Sequence, residues 1–339
     1  MRALRVMLVA NDGFSAGHVA RTIAIARGLA RRSAVRGIEV RTVLATTSEA
    51  HDLLAGEPLA IVRLPAVITA RQAGFTDPER RRLVRAAIDG VVEGFAPDLV
   101  VSDTFPSGPH GELAGIGRRA KRALVRRSVI DPDNAALNAG LAEHHLAIVA
   151  GDPGRVDIEL GIPTVHVPPI TIAEAREALD RDAARAALAV PRDARVVLVA
   201  AGGGGDEAAV ARARALAAKL EAHASVVLAL GPLAAGRSHH GRLQPLLAAF
   251  DAVFAPAGYN TACELAKARV PAVLFAQPRP YDDQAARAAR YTAAGFAHVL
   301  DGDDVVAALA WAERAVLPEL EAGGADRAAD ALLELAGAA

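Results

Sequence analysis

The stretch that decides the fold is Ala252-Val-Phe-Ala-Pro-Ala-Gly258-Tyr-Asn-Thr261-Ala-Cys-Glu264-Leu-Ala-Lys. Its apolar beginning predicts a buried strand, Gly258 predicts a tight turn that lets a ligand approach the backbone, and the next residues predict a helix starting near Thr261. The start of a helix presents backbone N–H groups and the positive end of the helix dipole, which together suit phosphate. Glu264, one turn inside the helix, would then lie within reach of a sugar diol beside the phosphates.

The chain continues into a second buried strand, followed by an acid and an amide. Val270-Pro-Ala-Val-Leu-Phe275 predicts the strand, and Asp283 and Gln284 lie in the next loop. A carboxylate and an amide at the C-terminal end of a parallel strand stand where α/β sheets bind ligands. The turn, the helix start and this polar pair together suit a sugar diphosphate. A structural alternative stays open, because Thr261-x-x-Glu264 is also the pattern of a helix capping box.

Length and composition indicate a soluble protein of two domains. The chain has 339 residues, of which 52% are hydrophobic, and a formal net charge of -1. The length predicts two domains, and the charge gives no support to a general polyanion or nucleic-acid binder. Cys263 is the only cysteine, which excludes an intrachain disulfide and a thiolate metal cluster. The apolar runs are too short for a membrane span or a signal peptide, so we expect a cytoplasmic protein.

The first domain opens with a strand, a glycine loop and a helix. Residues 6–10 predict the strand, the loop contains Gly17 and His18, and residues 19–32 predict the helix. This order is typical of a doubly wound α/β domain. The glycine spacing does not match the GxGxxG fingerprint, so a dinucleotide site is not predicted.

Strands and helices then alternate to residue 169. Asp103 ends a strand at the edge where doubly wound folds bind ligands, and Phe105 and Glu112 follow it. An Asx turn that caps the next loop is the alternative role for Asp103. We predict strands over 38–44, 59–64, 97–103, 124–130 and 146–150, a helix cap at Thr46 and Glu49, a loop over 65–76, and a helix start at Asp77-Pro78-Glu79.

The second domain repeats the strand, glycine loop and helix. Residues 195–201 predict the strand and residues 207–223 the helix, with Gly202, Gly203, Gly204 and Gly205 between them. Such glycines can expose N–H groups in a nest that accepts phosphate, and a flexible turn without a ligand is the alternative. No Lys-Ser/Thr follows, so this is not a P-loop. We expect domains over 1–169 and 194–322, a linker over 170–193, and a C-terminal helix over 323–339 that packs back on the first domain.

The order of these motifs resembles that of a known enzyme family. Gly258-x-x-Thr261-x-x-Glu264, an apolar strand with proline and then Asp283-Gln284 is similar to the nucleotide-sugar site of GT-B glycosyltransferases, especially the family 28-like group containing the murein-synthesis N-acetylglucosaminyltransferase. Gly17-His18 combined with Asp103-x-Phe-Pro-x-Gly108-x-x-x-Glu112 looks like a group of bacterial proteins described as predicted glycosyltransferases. The resemblance covers nearly the whole chain. It implies two Rossmann-like, doubly wound parallel-sheet domains that face each other across a cleft.

The resemblance also implies a role for each motif. His18 would act as the base that takes the acceptor proton, since an imidazole titrates near neutrality, and Asp103 would orient it. The transfer would invert the anomeric carbon and need neither a metal nor a cofactor. The acceptor, a small molecule or a glycan, would contact Gly17, Phe105 and Glu112. The donor, a nucleotide diphosphate sugar with UDP favoured, would contact Gly202, Gly203, Gly204, Gly258, Tyr259, Asn260, Thr261, Glu264, Asp283 and Gln284.

Other functions remain open at this point. A hydrolase of the same fold would use His18 to activate water, and a nucleotide-sugar 2-epimerase would share the architecture. A non-catalytic protein would bind the nucleotide sugar without turnover. For His18 itself, the structural alternative is a histidine that packs against or caps its own loop.

Overall fold

The computed structural model describes residues 2–11, 16–127, 133–154, 158–202, 207–231 and 242–337. The chain divides into two compact units. Unit 1 comprises residues 1–151, 156–170 and 323–339, and unit 2 comprises residues 152–155 and 171–322. Each unit is a parallel β-sheet flanked by helices. Within the ranges just given, no helix is long and apolar enough to cross a bilayer.

Unit 1 is built on seven parallel strands: β1 (Leu4–Ala10), β2 (Val40–Thr46), β3 (Ala60–Arg63), β4 (Leu99–Asp103), β5 (Lys121–Arg126), β6 (Leu146–Ala150) and β7 (Thr164–Val167). Their order across the sheet is β3-β2-β1-β4-β5-β6-β7. The chain starts at β1, proceeds outward through β2 and β3, and returns to the other side of β1 with β4. Strand order therefore reverses between β1 and β4, and doubly wound folds bind ligands at the carboxyl ends of strands beside such a reversal.

Unit 2 is built on five parallel strands: β8 (Val196–Ala200), β9 (Ser225–Ala229), β10 (Ala252–Pro256), β11 (Ala272–Phe275) and β12 (Ala297–Val299). Their order is β12-β11-β10-β8-β9, so the reversal lies between β8 and β10. Every residue of β10 and β11 is buried, as expected for central strands covered on both faces. Val199 pairs with Phe254, so the residues that follow β8 and β10 leave the sheet side by side.

The helices are α1 (Gly17–Arg36), α2 (His51–Leu54), α3 (Val67–Gln72), α4 (Asp77–Phe95), α5 (Ala135–Asn138), α6 (Arg181–Ala187), α7 (Glu207–Leu220), α8 (Tyr259–Ala268), α9 (Gln284–Ala293), α10 (Val305–Arg314) and α11 (Gly324–Leu335). Short 3-10 turns occur at Leu141–Glu143, Ala175–Glu177 and Gln244–Ala249. The predicted start of α4 is confirmed: Thr76 Oγ1 accepts the Glu79 N–H, and the Glu79 carboxylate accepts the Thr76 N–H.

The last helix, α11, packs along the first helix, α1, within unit 1. A Cβ atom added to Gly28 would stand 2.5 Å from the carbonyl oxygen of Ala325, so this close approach requires glycine. Salt bridges flank the contact: Arg31 pairs with Asp326, and Arg32 pairs with Asp330. The two ends of the chain are thereby part of the same compact unit.

Three local predictions from the sequence are wrong. Thr46 ends β2 and donates its hydroxyl hydrogen to the Ala10 carbonyl at 2.8 Å, while α2 starts only at His51 and has no side-chain cap. The predicted loop over 65–76 contains α3, which buries Ala70. Strand β7 lies in the proline-rich stretch at 163–169, where no strand is predicted. It forms at the sheet edge, where flanking prolines remove no hydrogen bond from the ladder.

Candidate functional site

His18 and Asp103 meet at the strand reversal of unit 1. His18 lies in the first turn of α1, and Asp103 is the last residue of β4. Because β1 and β4 are parallel neighbours, both residues stand at the carboxyl edge of the sheet. His18 Nδ1 lies 2.6 Å from Asp103 Oδ1, and the His18 side chain keeps 14% of its surface exposed. The structure thus brings together the two residues that the sequence singles out as a catalytic pair.

Arg21 completes this cluster one helical turn after His18. Its Nε donates to Asp103 Oδ2 at 2.7 Å, and its Nη2 donates to Asp103 Oδ1 at 2.5 Å. Thr104 Oγ1 also donates to Asp103 Oδ1, at 2.8 Å. Both carboxylate oxygens are therefore bound by side chains, and the Asx turn considered for Asp103 is not what the structure shows.

The charge of Asp103 decides which nitrogen of His18 can act as a base. Burial by itself would raise the pKa of Asp103, but the Arg21 guanidinium and His18 outweigh it and hold this pKa well below its ordinary value. Asp103 is therefore an ionised carboxylate that only accepts hydrogen bonds, so Nδ1 of His18 carries the hydrogen between them. In the neutral ring, Nε2 then holds the lone pair and can take a proton from a hydroxyl or amine.

The residues predicted to contact an acceptor are placed differently from one another. Gly17 begins α1 next to His18. The Phe105 ring lies beside the His18 ring, with 6.3 Å between the ring centres. Glu112 is buried, and protein groups bind both its oxygens: Asn11 Nδ2 donates to Oε1 at 2.9 Å, and the His110 N–H donates to Oε2 at 2.7 Å. Phe105 is thus close to the histidine, whereas Glu112 is engaged within the protein.

In unit 2, α8 begins at Tyr259, two residues earlier than predicted. Gly258 is the N-cap, and no side chain caps the helix. Thr261 is then the third residue inside the helix, so Thr261 and Glu264 do not form a capping box, and this alternative is wrong. The first hydrogen bond within the helix joins the Ala262 N–H to the Gly258 carbonyl at 2.9 Å. The N–H groups of the first turn therefore have no acceptor inside the helix and point out of its start.

Two glycines, Gly202 and Gly258, lie close to the start of α8. Gly202, after β8, has a φ of +87°, a conformation that favours glycine, and a Cβ there would contact Pro256 at 3.5 Å and Gln277 Oε1 at 3.9 Å. Gly258 has ordinary angles (φ -65°, ψ 147°), and among the described residues a Cβ there would meet only Thr261 Oγ1, at 4.0 Å. The predicted role of Gly258 therefore lies in its missing side chain, which leaves the helix start open. Gly203 and Gly204 lie outside the described residues.

Glu264 is a buried carboxyl paired with an amide. Gln244 Nε2 donates to Glu264 Oε2 at 3.1 Å. Burial raises the pKa of Glu264 to about 7, although the hydrogen bond from Gln244 and the charges of Lys267 and Arg242 act in the opposite direction. The other amide atom, Gln244 Oε1, is buried and accepts no hydrogen bond from the described residues. Glu264 and Gln244 together therefore offer hydrogen-bond acceptors one turn inside α8.

Asp283 and Gln284 follow at the same edge of the sheet. Asp283 is exposed and caps α9, accepting the Ala286 N–H at 2.9 Å. Gln284 is buried, and its Oε1 accepts the Gln277 N–H at 3.1 Å. Gln277 Nε2 in turn donates to the Ala201 carbonyl, at 3.1 Å. These bonds join the loop after β11 to the end of β8, next to Gly202.

A buried arginine, Arg287, forms hydrogen bonds with residues next to the start of α8. Its Nη1 donates to the Ala257 carbonyl at 3.0 Å and to Asp282 Oδ1 at 2.7 Å, and its Nε donates to Asp152 Oδ2 at 3.0 Å. Its guanidinium also lies 5.8 Å from the centre of the buried Tyr259 ring. Burial would lower the pKa of Arg287, but Asp282 and Asp152 outweigh it and raise this pKa above its ordinary value. Arg287 therefore stays charged and joins Ala257, before α8, to Asp282, before α9. Asn260 and Thr261, in the first turn of α8, are half-buried.

Several of these residues have no role predicted from the sequence: Asn11, Arg21, Gln244, Gln277 and Arg287. Only Arg21 could have been found from a local sequence pattern, since positions three apart on a helix share a face and place it beside His18.

Cys263 offers no further chemistry, because burial raises the pKa of its thiol to about 12. In the part of the chain that the structure describes, no group of three or more His, Cys, Asp or Glu side chains is arranged to hold a metal.

Comparison with solved structures identifies the fold. The glycotransferase of kitacinnamycin matches with a TM-score of 0.62 and 15% identity, over 99% of this chain and 100% of that one. The glycosyltransferase SsfS6 of Streptomyces sp. SF2575, complexed with thymidine diphosphate, matches with a TM-score of 0.55 and 17% identity, over 98% and 96%. MurG of Acinetobacter baumannii matches with a TM-score of 0.56 and 15% identity, over 98% and 100%. No family model and no curated protein sequence matches the chain. The predicted GT-B fold of two parallel-sheet α/β units is confirmed.

Proposed function

We propose that this protein transfers a sugar from a nucleotide diphosphate sugar, with UDP-sugars favoured, to a hydroxyl or amine of a small-molecule or glycan acceptor. The observation that carries the proposal is the carboxyl edge of unit 2. There the open start of α8 is followed, one turn later, by the Glu264–Gln244 pair. The first feature suits a diphosphate and the second suits a ribose diol. The shared fold of glycosyltransferases, one of them solved with thymidine diphosphate, supports this choice.

In this proposal unit 2 holds the donor. The diphosphate lies at the start of α8, where Gly258 leaves room and the first-turn N–H groups meet its negative charge. Gly202 brings the end of β8 to the same place. Glu264 and Gln244 accept the ribose hydroxyls. Asp283 and Gln284 orient the sugar, with Gln284 offering its amide nitrogen because its oxygen is bonded to Gln277.

Unit 1 supplies the base. The acceptor oxygen or nitrogen attacks the anomeric carbon, the bond from that carbon to the diphosphate breaks, and His18 Nε2 takes the acceptor proton. Asp103 holds the ring in the required tautomer and stabilises the imidazolium that forms. The leaving diphosphate keeps the electron pair, and the start of α8 stabilises its charge without a metal. Attack opposite the leaving group inverts the anomeric carbon.

Product analysis tests this function directly. The protein is incubated with a panel of nucleotide sugars, with and without pooled hydroxyl and amine acceptors, and the products are separated by mass spectrometry. We expect nucleoside diphosphate and an acceptor heavier by one sugar residue. Release of free sugar at the same rate without an acceptor would instead establish a hydrolase, and donor binding without any product would establish a non-catalytic binding protein.

The open space at Gly258 yields the first prediction. Gly258→Ala is expected to weaken donor binding by at least about tenfold, because the added methyl group occupies the place of the diphosphate. Its melting temperature should stay unchanged or rise slightly, since alanine adopts these backbone angles readily. Gly295→Ala is the matched control: its φ of +79° strains alanine, so it should lower the melting temperature and leave binding intact. Full donor affinity in Gly258→Ala would show that the diphosphate does not bind next to Gly258.

The raised pKa of Glu264 predicts pH-dependent binding. Ribose hydroxyls that donate to this carboxyl favour its ionised form, so affinity should fall as the pH drops through about 7 and stay constant above it. UDP-glucose is the appropriate probe, because both of its phosphates are diesters that do not titrate there. Between about pH 8 and pH 5.5 we expect roughly tenfold weaker binding. Glu264→Gln should be folded, bind more weakly and lack this pH dependence; an unchanged pH profile would show that Glu264 does not contact the donor.

The Glu264–Gln244 pair also predicts discrimination of the nucleoside. With two neighbouring acceptors for two hydroxyls, UDP should bind at least about tenfold more tightly than 2′-deoxy-UDP. Gln244→Met keeps the size of the side chain but removes its acceptor, and should reduce this ratio. Isothermal titration measures both quantities. Equal affinity for the two nucleotides would place the ribose elsewhere.

A further inference from the structure

The side-chain oxygen of Asn11 is a buried hydrogen-bond acceptor to which no described residue donates. Asn11 directly follows β1, and 7% of its surface is exposed. Its Nδ2 donates to Glu112 Oε1 at 2.9 Å, whereas its Oδ1 is buried and has no hydrogen-bond partner among the described residues. A buried polar atom without a partner is costly, so such atoms are uncommon in native structures and are a sign of a ligand or water site.

Glu112 fixes the direction of the Asn11 amide. One oxygen of Glu112 accepts the His110 N–H at 2.7 Å, and the other faces Asn11. Because an ionised carboxylate only accepts hydrogen bonds, the Asn11 atom that faces it must be the amide nitrogen. The oxygen, Oδ1, is therefore the atom left over. The orientation of this amide therefore follows from the chemistry of its neighbours.

The position of Asn11 connects it to the histidine cluster. Val9 of β1 pairs with Ser102 of β4, so Asn11, which follows β1, and Thr104, which follows β4, leave the sheet at the same edge. Thr104 itself donates to Asp103, the partner of His18. The unpaired oxygen thus belongs to the strand reversal at which doubly wound folds bind ligands.

We propose that Asn11 is an acceptor-recognition residue and Glu112 the positioning residue that sets its polarity. This rests on the function proposed above, in which unit 1 binds the acceptor. Asn11 Oδ1 accepts a hydrogen bond from a second hydroxyl or N–H group of the acceptor molecule, separate from the group that reacts. The acceptor class is therefore a polyol, catechol or amino alcohol. A carboxylate or phosphate at this point would meet two acceptors, Asn11 Oδ1 and the Glu112 carboxylate behind it, and is disfavoured. The earlier assignment of Glu112 as a direct acceptor contact is replaced by this indirect role.

The test uses two small neutral probes that differ in one donor. Catechol has two adjacent hydroxyls, and in 2-methoxyphenol one of them is methylated and can only accept. Isothermal titration in the presence of UDP should show wild-type protein binding catechol at least about tenfold more tightly. Asn11→Ala should remove the preference.

Glu112→Gln, alone and combined with Asn11→Asp, gives a pair of results that loss of structure could not produce. Its oxygen has to stay with the His110 N–H, so its NH2 faces Asn11, and the Asn11 amide turns to present its own NH2 to the probe. The preference for catechol should then be lost, because a catechol hydroxyl and a methoxy oxygen can both accept from this NH2. Combining Glu112→Gln with Asn11→Asp puts an acceptor back at the site and should restore the preference for catechol.

Equal binding of the two probes by the wild type, binding of neither, or an unchanged preference for catechol in Glu112→Gln would overturn the assignment of Asn11. Thermal unfolding of each variant confirms that it is folded. Since probe binding requires no turnover, the outcome is independent of the proposed function. Sugar transfer without probe discrimination refutes only the Asn11 site, and probe discrimination without sugar transfer refutes only the transferase.

Discussion

Replacing His18 by glutamine is expected to lower the rate of sugar transfer by about 10²- to 10⁴-fold, the usual contribution of a positioned general base. Glutamine keeps a polar side chain at the start of α1 but cannot take a proton from the acceptor. In the proposed function unit 2 binds the donor, so donor binding should be unchanged and the loss should appear in kcat and not in the dissociation constant of the nucleotide sugar. Steady-state kinetics together with isothermal titration separate the two quantities.

His223→Gln is the matched control for this substitution. His223 is an exposed histidine that follows α7 in unit 2, and replacing it should leave both kcat and donor binding unchanged. A transfer rate within about threefold of the parent in His18→Gln would mean that another group takes the proton, or that the acceptor is already ionised when it binds. A large fall in the control would point to a general effect on the fold.

The second large effect concerns stability. Arg287→Met is expected to reduce the free energy of unfolding by about 3–5 kcal/mol, the usual cost of removing one partner of a buried ion pair. Methionine fills a similar volume but removes the guanidinium that donates to Asp282 and to the Ala257 carbonyl. Asp152 keeps its bond from Arg290, which limits the loss. Urea unfolding followed by circular dichroism measures the change.

A surface pair in the same unit provides the comparison. Arg195 and Glu313 form an exposed ion pair, with 38% and 52% of the side-chain surfaces accessible. Arg195→Met should cost less than about 1 kcal/mol. If Arg287→Met were no more destabilising than this control, the loops around Ala257 and Asp282 would have to be held by other contacts. Partial donor binding in a folded Arg287→Met would still be informative, because it reports how far the start of α8 depends on this support.

The sequence predicts the order of elements well because parallel strands covered on both faces are short apolar runs bounded by turns. The strand at 146–150 is placed correctly to the residue. The predicted helix start at Asp77-Pro78-Glu79 is also confirmed, since α4 begins at Asp77. Local patterns mislead where two signals compete. Thr261-x-x-Glu264 imitates a capping box, while the true start at Tyr259 has no capping side chain to reveal it.

The pairs that build the site could not be predicted in this way. Arg21 and Asp103 are 82 residues apart, and Asn11 and Glu112 are 101 residues apart. Their meeting depends on β1 and β4 becoming neighbours, which is a property of the sheet order and leaves no local trace in the sequence. The sequence therefore identifies which strand ends carry polar groups, and the topology decides which of those groups touch.

The most direct measurement is the titration of the wild-type protein with UDP and with UDP-sugars, followed by the same titration of Glu264→Gln. We expect saturable binding of the nucleoside diphosphate and a matching rise in melting temperature. In the folded Glu264→Gln variant the binding should be clearly weaker and the rise in melting temperature clearly smaller. If no nucleoside diphosphate of any base binds the folded wild-type protein, unit 2 is not a nucleotide-sugar site and the proposed function is wrong.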